Sequence, residues 1–327
     1  MTGATRRGNI LVIKHGAFGD FIQALGAMRA IRQVHKDAKI TLLTTKPFVA
    51  LAEASGYFDA VAADLRPKWY QFIKLSVLRR FLNDGKFGRV YDLQNSERTG
   101  LYLGLFKRVP EWSGIAFSAS HHMPDDAARR TLHVFDALRA QLAIAGIKKV
   151  EVDDLSWIKA NVDSFALPKP YVLIAAGCSP QHPKKRWPVD RYVALAQWIA
   201  AQGHTPVLLG TAAEADVNAQ ILASCPQAVD LTGLTTIQQV AVLARQAAAA
   251  VGNDTGPIQM IGPTGCRTIG LYPGFSNPKR HGPLGVNVVT IQKPAMADIS
   301  IDEVAEKLAP WVAGIAGAAQ PAAGAAE

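Results

Sequence analysis

The stretch NILVIKHGAFGDFIQALGAMRAI, residues 9–31, decides the fold. It opens on NILVIK, a continuous apolar run of the kind that forms a strand buried on both faces. KHGAFGD follows as a turn. Gly16 and Gly19 remove side chains there, so the backbone can approach a ligand and present helix N-terminal amides. Beyond Asp20 the apolar residues recur at helical spacing and predict a helix over 21–34. Strand, glycine turn and helix together form the start of an α/β domain.

The same alternation continues outward. KITLLTT, FDAVAA and RVYDLQ read as strands, and helices are predicted over 48–54, 69–82 and 131–144. Residues 161–170, NVDSFALPKP, are polar with two prolines and read as a linker. The pattern then restarts. YVLIAAG, TPVLLG, AAAAVG, RTIGLY and NVVTIQ are strands, 229–231 is short and extended, and helices are predicted over 189–201, 213–222 and 237–245. DISIDEVAEKLAPWV is a closing helix that either Ser300 or Asp302 can cap. The expected fold class is α/β, two Rossmann-like domains with mostly parallel sheets facing across a cleft. The expected boundaries are 1–165, 166–311 and a flexible Ala/Gly-rich tail over 312–327. Ligands should sit beyond the C-terminal ends of the strands.

Composition narrows the function classes. The chain has 327 residues, enough for two ordinary domains. Its three cysteines, Cys178, Cys225 and Cys266, form no CxxC pair, so neither a disulfide framework nor a thiolate metal site is expected, and a reducing, cytoplasmic location is. No apolar run reaches the roughly 18 residues of a membrane span. The net charge of +9 is uneven: residues 1–165 hold 24 Lys/Arg against 16 Asp/Glu, and residues 166–327 hold 11 against 10. An anionic partner for the first half follows, a phosphorylated substrate, a membrane surface or nucleic acid, with solubility as the plain alternative. No nucleic-acid reading motif accompanies the basic residues, so that partner is not expected.

Five loops carry candidate chemistry, the last of them LYPGFSNPKRHGPLG, where Lys279, Arg280 and His281 follow a strand. Asp20 ends the first glycine turn, either as a first-turn acid held by the helix dipole or as a general base, with Lys14, Gly16 and Gly19 shaping its loop. GNDTGPIQMIG follows a strand. There Thr255, Gly256 and the helix opened by Pro257 can cradle a diphosphate, while Asp254 orients the loop or accepts from a sugar hydroxyl. SPQHPKKRWP places Lys184, Lys185 and Arg186 beside a helix start, where they face an anion or solvent, and Trp187 is expected to pack against the domain body. In GTAAEADVNAQI, Glu214 can accept from a ribose diol or cap the helix, with Asp216 as its rival. Walker A, GxGxxG, GxSxG, zinc-ligand spacing and a DxD pair are all missing, so no metal or cofactor is expected.

KHGAFGD, KKRWP and GNDTGP, in this order and spacing, resemble the lipopolysaccharide heptosyltransferase family, and the resemblance runs over nearly the whole chain. It implies the GT-B architecture, an N-terminal acceptor domain and a C-terminal donor domain. It implies an inverting, metal-independent transfer from a nucleotide-diphosphate sugar, typically ADP-heptose, to an anionic lipid-linked glycan at the cytoplasmic face of the inner membrane. By resemblance Asp20 is the catalytic base, Lys185 contacts donor phosphate, Glu214 lies near the ribose, and Asp254, Thr255 and Gly256 form the donor loop. Lys184 and Arg186 are further candidates for phosphate contact. One position departs: the family loop continues Asp-Thr-Gly-Pro-Met-His, and here Gln259 stands where histidine is expected. Glutamine donates a hydrogen bond but carries no charge. A silent nucleotide-sugar-binding protein and a sugar-nucleotide epimerase are the alternatives. The segment 66–86, rich in aromatic residues and cations, either meets lipid head groups or the acceptor, or packs as an ordinary surface helix.

Overall fold

The apolar runs form the strands. In the computed structural model, which describes residues 8–178 and 181–312, the chain divides into two compact units: Met1–Ile158 with Lys279–His281, and Lys159–Pro278 with Gly282–Glu327. Residues 313–327, nearly all of the expected tail, lie outside the described residues, as does the Arg6–Arg7 pair.

The first unit holds β1 (Asn9–Ile13), α1 (Phe18–Val34), β2 (Ile40–Thr44), α2 (Val49–Ala54), β3 (Ala60–Ala63), α3 (Phe72–Asp84), β4 (Phe87–Asp92), α4 (Glu97–Leu101), β5 (Glu111–Gly114), β6 (His121–His122), α5 (Ala127–Thr131) and α6 (Val134–Ile144). Its six strands are parallel in the order β3-β2-β1-β4-β5-β6. Leu11, Ile13, Leu43, Val90 and Trp112 build one face of its core.

The second unit holds β7 (Tyr171–Ala175), α7 (Val189–Ala201), β8 (Thr205–Leu208), α8 (Ala215–Ser224), β9 (Val229–Asp230), α9 (Ile237–Gln246), β10 (Ala249–Asn253), α10 (Gly256–Ile261), β11 (Thr268–Pro273), β12 (Val288–Lys293) and α12 (Ile301–Val312), while the short α11 (Pro278–His281) between β11 and β12 belongs, but for Pro278, to the first. These strands are also parallel, in the order β12-β11-β10-β7-β8-β9. In β7 the side chains alternate between two cores. Val172 and Ile174 pack with Leu208, Val251 and Ile269, while Tyr171, Leu173 and Ala175 pack with Val207 and Ala250. A strand buried on both faces has no polar side, which is why these strands read as unbroken apolar runs.

Several local details differ from the sequence reading, including α3 and α8, which run Phe72–Asp84 and Ala215–Ser224 where 69–82 and 213–222 were expected. α1 begins at Phe18, because extended Ala17 is its N-cap and the Ala17 carbonyl accepts from the Phe21 amide at 2.9 Å. Gly19 therefore lies in the helix's first turn and not in the loop. α6 begins at Val134, where His133 Nδ1 accepts from the Phe135 amide. β5, β6 and α4 were not expected: the two strands are too short to show a period, and α4 is fixed by a Ser96–Thr99 capping box. At the closing helix the choice falls on Ser300, whose Oγ accepts from the Glu303 amide at 3.1 Å. α12 runs through Val312, the first residue of the expected tail.

Candidate active site

In a doubly wound sheet the crevice opens where strand order reverses, beyond the carboxyl ends of the two strands concerned. In the first unit that point lies between β1 and β4. The KHG turn follows β1 and is gripped from three neighbouring strand ends. Thr45, after β2, donates its hydroxyl to the His15 carbonyl at 2.8 Å. Asp64, after β3, pairs with the His15 ring at 2.9 Å and also accepts from the Tyr102 hydroxyl and the Arg66 amide, each at 2.7 Å. Gln94, after β4, accepts from the His15 amide at 2.9 Å and donates to the Gly16 carbonyl at 3.3 Å. Gly16 adopts φ +108°, and a Cβ there would lie 2.3 Å from the Phe48 ring. Both backbone conformation and space require glycine.

Asp20 is thereby fixed as the third residue of α1. Its carboxylate accepts no hydrogen bond among the described residues and is not the helix cap. It lines a pocket with Lys14, Gln94, Asn95, Arg129 and Arg130. Lys14 is buried and donates to the Leu93 carbonyl at 3.3 Å. Burial lowers its pKa, against the opposing charges of Asp20 and Asp92. Asp92, at the end of β4, is fully buried. Burial pushes it up to about 6 despite hydrogen bonds from Thr99 and the Asn95 and Gln94 amides.

In the second unit the reversal lies between β7 and β10. The loop after β7 carries Lys184, Lys185 and Arg186, and the loop after β10 carries Asp254 and Thr255. Asn253, a residue the sequence reading did not single out, joins them. It is fully buried at the end of β10. Its Oδ1 accepts from the Trp187 amide at 3.2 Å and the Tyr192 hydroxyl at 2.9 Å, and its Nδ2 donates to the carbonyls of Ala176 at 2.7 Å and Gly177 at 3.1 Å. Trp187 packs as expected: it is buried, donates to the Ile299 carbonyl at 3.0 Å and meets Tyr192 edge-on.

Across this clamp Lys185 Nζ reaches Asp254 Oδ2 at 2.5 Å, and the same oxygen accepts from Ser276 Oγ at 3.0 Å. Asp254 thus orients the lysine. Lys184 is exposed, and Arg186 is half-buried with a long 3.4 Å contact to the Cys178 carbonyl. Thr255 caps α10 through backbone geometry while its hydroxyl donates to the Asn253 carbonyl at 3.2 Å. Gln259 is buried within α10 at 6% exposure.

A cavity of about 340 Å³ opens beside these loops, lined by Gly177, Glu214, Thr236, Thr255, Gly256 and Pro257 among others. Of the two readings of Glu214, the cap is observed through one carboxylate oxygen, and the other oxygen stays open. Oε2 accepts from the Thr211 amide at 2.8 Å and hydroxyl at 2.7 Å, while Oε1 has no hydrogen-bond partner among the described residues. A Cβ at Gly177 would lie 2.0 Å from Glu214 Cγ, so this acid seats directly on the β7 loop. Asp216, its rival, is exposed and does not line the cavity. The three cysteines are buried free thiols, and burial pushes Cys266 up to about 12. No group of side chains able to hold a metal ion occurs among the described residues.

Comparison with known proteins bears on the family and the fold. Residues 77–309 match the model of glycosyltransferase family 9 (heptosyltransferase), a span that includes Lys185, Glu214 and the 254–256 loop and starts after Asp20. Lipooligosaccharide heptosyltransferase 2 of Haemophilus influenzae is 30% identical over 115 residues, 34% of this chain and 33% of that protein, so this match spans about a third of the relative. Lipopolysaccharide heptosyltransferase 2 of Salmonella typhimurium is 22% identical over 311 residues, 86% of this chain and 88% of that one. In fold, the solved E. coli heptosyltransferase WaaC with ADP is similar at TM-score 0.71 and 16% identity, over 93% of this chain and 99% of that one.

Proposed function

Since the chain belongs to glycosyltransferase family 9, the heptosyltransferases, we propose that it moves a heptose or related sugar, with inversion and without a bound metal, from ADP-heptose or a similar nucleotide-diphosphate sugar to a lipopolysaccharide-core or similar anionic glycan. One observation carries the reading: the second unit's cavity sits at the sheet reversal, where Thr255 and Gly256 can meet a diphosphate and the open oxygen of Glu214 a ribose, with Lys185 held on the neighbouring loop by Asp254. A structurally similar heptosyltransferase was solved with ADP, which supports the adenine nucleotide.

On this reading Asp20 takes the proton from an acceptor hydroxyl, and that oxygen attacks the anomeric carbon opposite the diphosphate. Negative charge grows on the leaving phosphate as the glycosidic bond breaks. Lys185 and the α10 amides stabilise it, with Asp254 holding the lysine in place. Asp20 suits the base role because no hydrogen bond among the described residues occupies its carboxylate. Lys14, Arg129 and Arg130 line its pocket, and although both arginines pair with Asp125 the lining keeps a positive balance suited to an anionic acceptor. The protein works in the cytoplasm at the inner membrane, where a lipid-linked acceptor is presented.

The test is product analysis with ADP-heptose. Nucleoside diphosphate released only when a lipid-linked core acceptor is present, with the sugar found on the acceptor, supports transfer. An isomerised nucleotide sugar formed without acceptor would make the protein an epimerase, and tight binding with no turnover would make it a silent binder.

A further inference from the structure

The first unit leaves an apolar face uncovered beside the Asp20 turn. Leu65, Trp69, Tyr70, Phe72, Ile73 and Val77 are six of the sixteen exposed large hydrophobic side chains among the described residues, and all fall within residues 65–77. Trp69 is 80% exposed and Ile73 83%. Single exposed hydrophobics are ordinary on a protein surface, but a contiguous group is not. α3 explains how it arises. The helix buries Leu78 and Leu82 and rests Phe81 against Phe87, so its C-terminal half supplies the anchor. Its first turns carry Phe72, Ile73 and Val77 outward. Of the two sequence readings of this segment, ordinary packing describes only the second half of the helix.

The face is also strongly cationic. Arg66, Lys68, Lys74, Arg79, Arg80 and Lys86 are all exposed, and Asp84 is the one acid between residues 65 and 86. None of these cations has an ion-pair partner among the described residues. Lys68 lies over the Tyr70 ring at 5.7 Å. Trp, Tyr and Phe interleaved with unpaired Lys and Arg suit the boundary between head groups and acyl chains: rings enter the boundary and cations stay at anionic phosphates.

We infer that residues 65–80, the loop before α3 and that helix's outward turns, dock on an anionic lipid bilayer. The inference deepens the proposed function, because a lipid-linked acceptor is met at such a surface. The segment begins directly after Asp64, which grips His15 in the Asp20 turn. Docking would therefore bring the rim of the sheet that carries Asp20 close to the leaflet. Charge complementarity selects a lipid surface over a second copy of this chain, whose equivalent face would bring like charges together.

The experiment is co-sedimentation of the full chain with sucrose-loaded phosphatidylcholine vesicles, with and without phosphatidylglycerol. Wild type should pellet with the anionic vesicles, weakly with neutral ones, and less as salt rises. Lys68→Glu with Lys74→Glu should lower partitioning by at least about 25-fold, from roughly fivefold per cation lost. Trp69→Ser with Ile73→Ser should lower it by at least about tenfold, through lost apolar insertion. Both pairs lie on the surface and should keep the wild-type circular dichroism and affinity for ADP. Failure of wild type to pellet with anionic vesicles would overturn the inference. So would either pair pelleting like wild type, or a wild-type dimer in gel filtration that Trp69→Ser with Ile73→Ser makes monomeric. Turnover plays no part in this measurement. Transfer to a delipidated, water-soluble acceptor tests the reaction separately and should be unchanged in both pairs.

Discussion

Replacing Asn253 by alanine tests how the second unit holds its two site loops together. The side chain is fully buried and makes four hydrogen bonds, two through each end of its amide. A neutral hydrogen bond contributes about 1 kcal/mol net, and a buried group left unpartnered costs about 1–3 kcal/mol. The Tyr192 hydroxyl keeps a long 3.5 Å contact to the Ala175 carbonyl, but the Trp187 amide and two loop carbonyls lose their side-chain partner. The expected loss is about 3–5 kcal/mol, a large share of a typical folding stability. Urea denaturation followed by circular dichroism would read it, and calorimetry with ADP should show at least tenfold weaker binding, since the Lys185 and Asp254 loops are no longer tied. Tyr192→Phe removes one bond of the four and should cost only about 1 kcal/mol. Asn253→Asp would place a carboxyl against two carbonyls. Burial would raise its pKa, so the variant should be most stable below about pH 4 and lose stability as pH rises through the raised value. An alanine variant within about 1 kcal/mol of wild type and with wild-type ADP affinity would refute the clamp.

The remaining predictions address single groups. Asp92 is raised from 3.8 to about 6 by burial, so its stability contribution is full below about pH 4 and falls by about 3 kcal/mol as pH passes 6. Asp92→Asn should therefore gain on wild type by that amount between about pH 4 and pH 7 in urea titrations, and a difference that does not vary with pH would contradict it. Gly177→Ala would put a Cβ into Glu214, so ADP affinity should fall at least about tenfold while the first unit stays intact; unchanged calorimetry would show that Glu214 is not seated as described. Lys185→Ala should weaken ADP-heptose binding and slow transfer together. An unchanged enzyme would move the phosphate role to Lys184 or Arg186.

Much of the architecture was legible because central parallel strands are apolar throughout. β7, β10 and β11 stood out as runs, and the spans of α7 and α9 were read to within a residue. The ends of elements were less legible. α1 starts three residues earlier than its apolar spacing suggests, since an alanine with extended backbone can cap a helix without a side-chain signal. The site was half legible. Short-range features such as a glycine turn, a basic triplet and an Asp-Thr-Gly loop mark where backbone and charge are special. Long-range clamps leave no local trace: Asn253 looks like any loop amide, and Gln94 like any polar residue after a strand. Both act through partners 61–79 residues away. For Glu214 the sequence offered cap or acceptor, and only the folded loop shows that the cap occupies a single oxygen and leaves the other open.

The proposed mechanism gives the chemistry to Asp20 and donor binding to the second unit. Asp20→Asn keeps the shape and removes the base. Its single-turnover transfer rate from ADP-heptose, measured beside calorimetric donor affinity on the same preparation, should fall by at least about a hundredfold with affinity unchanged within about twofold. Retained transfer, or a loss explained by donor affinity, would contradict the account.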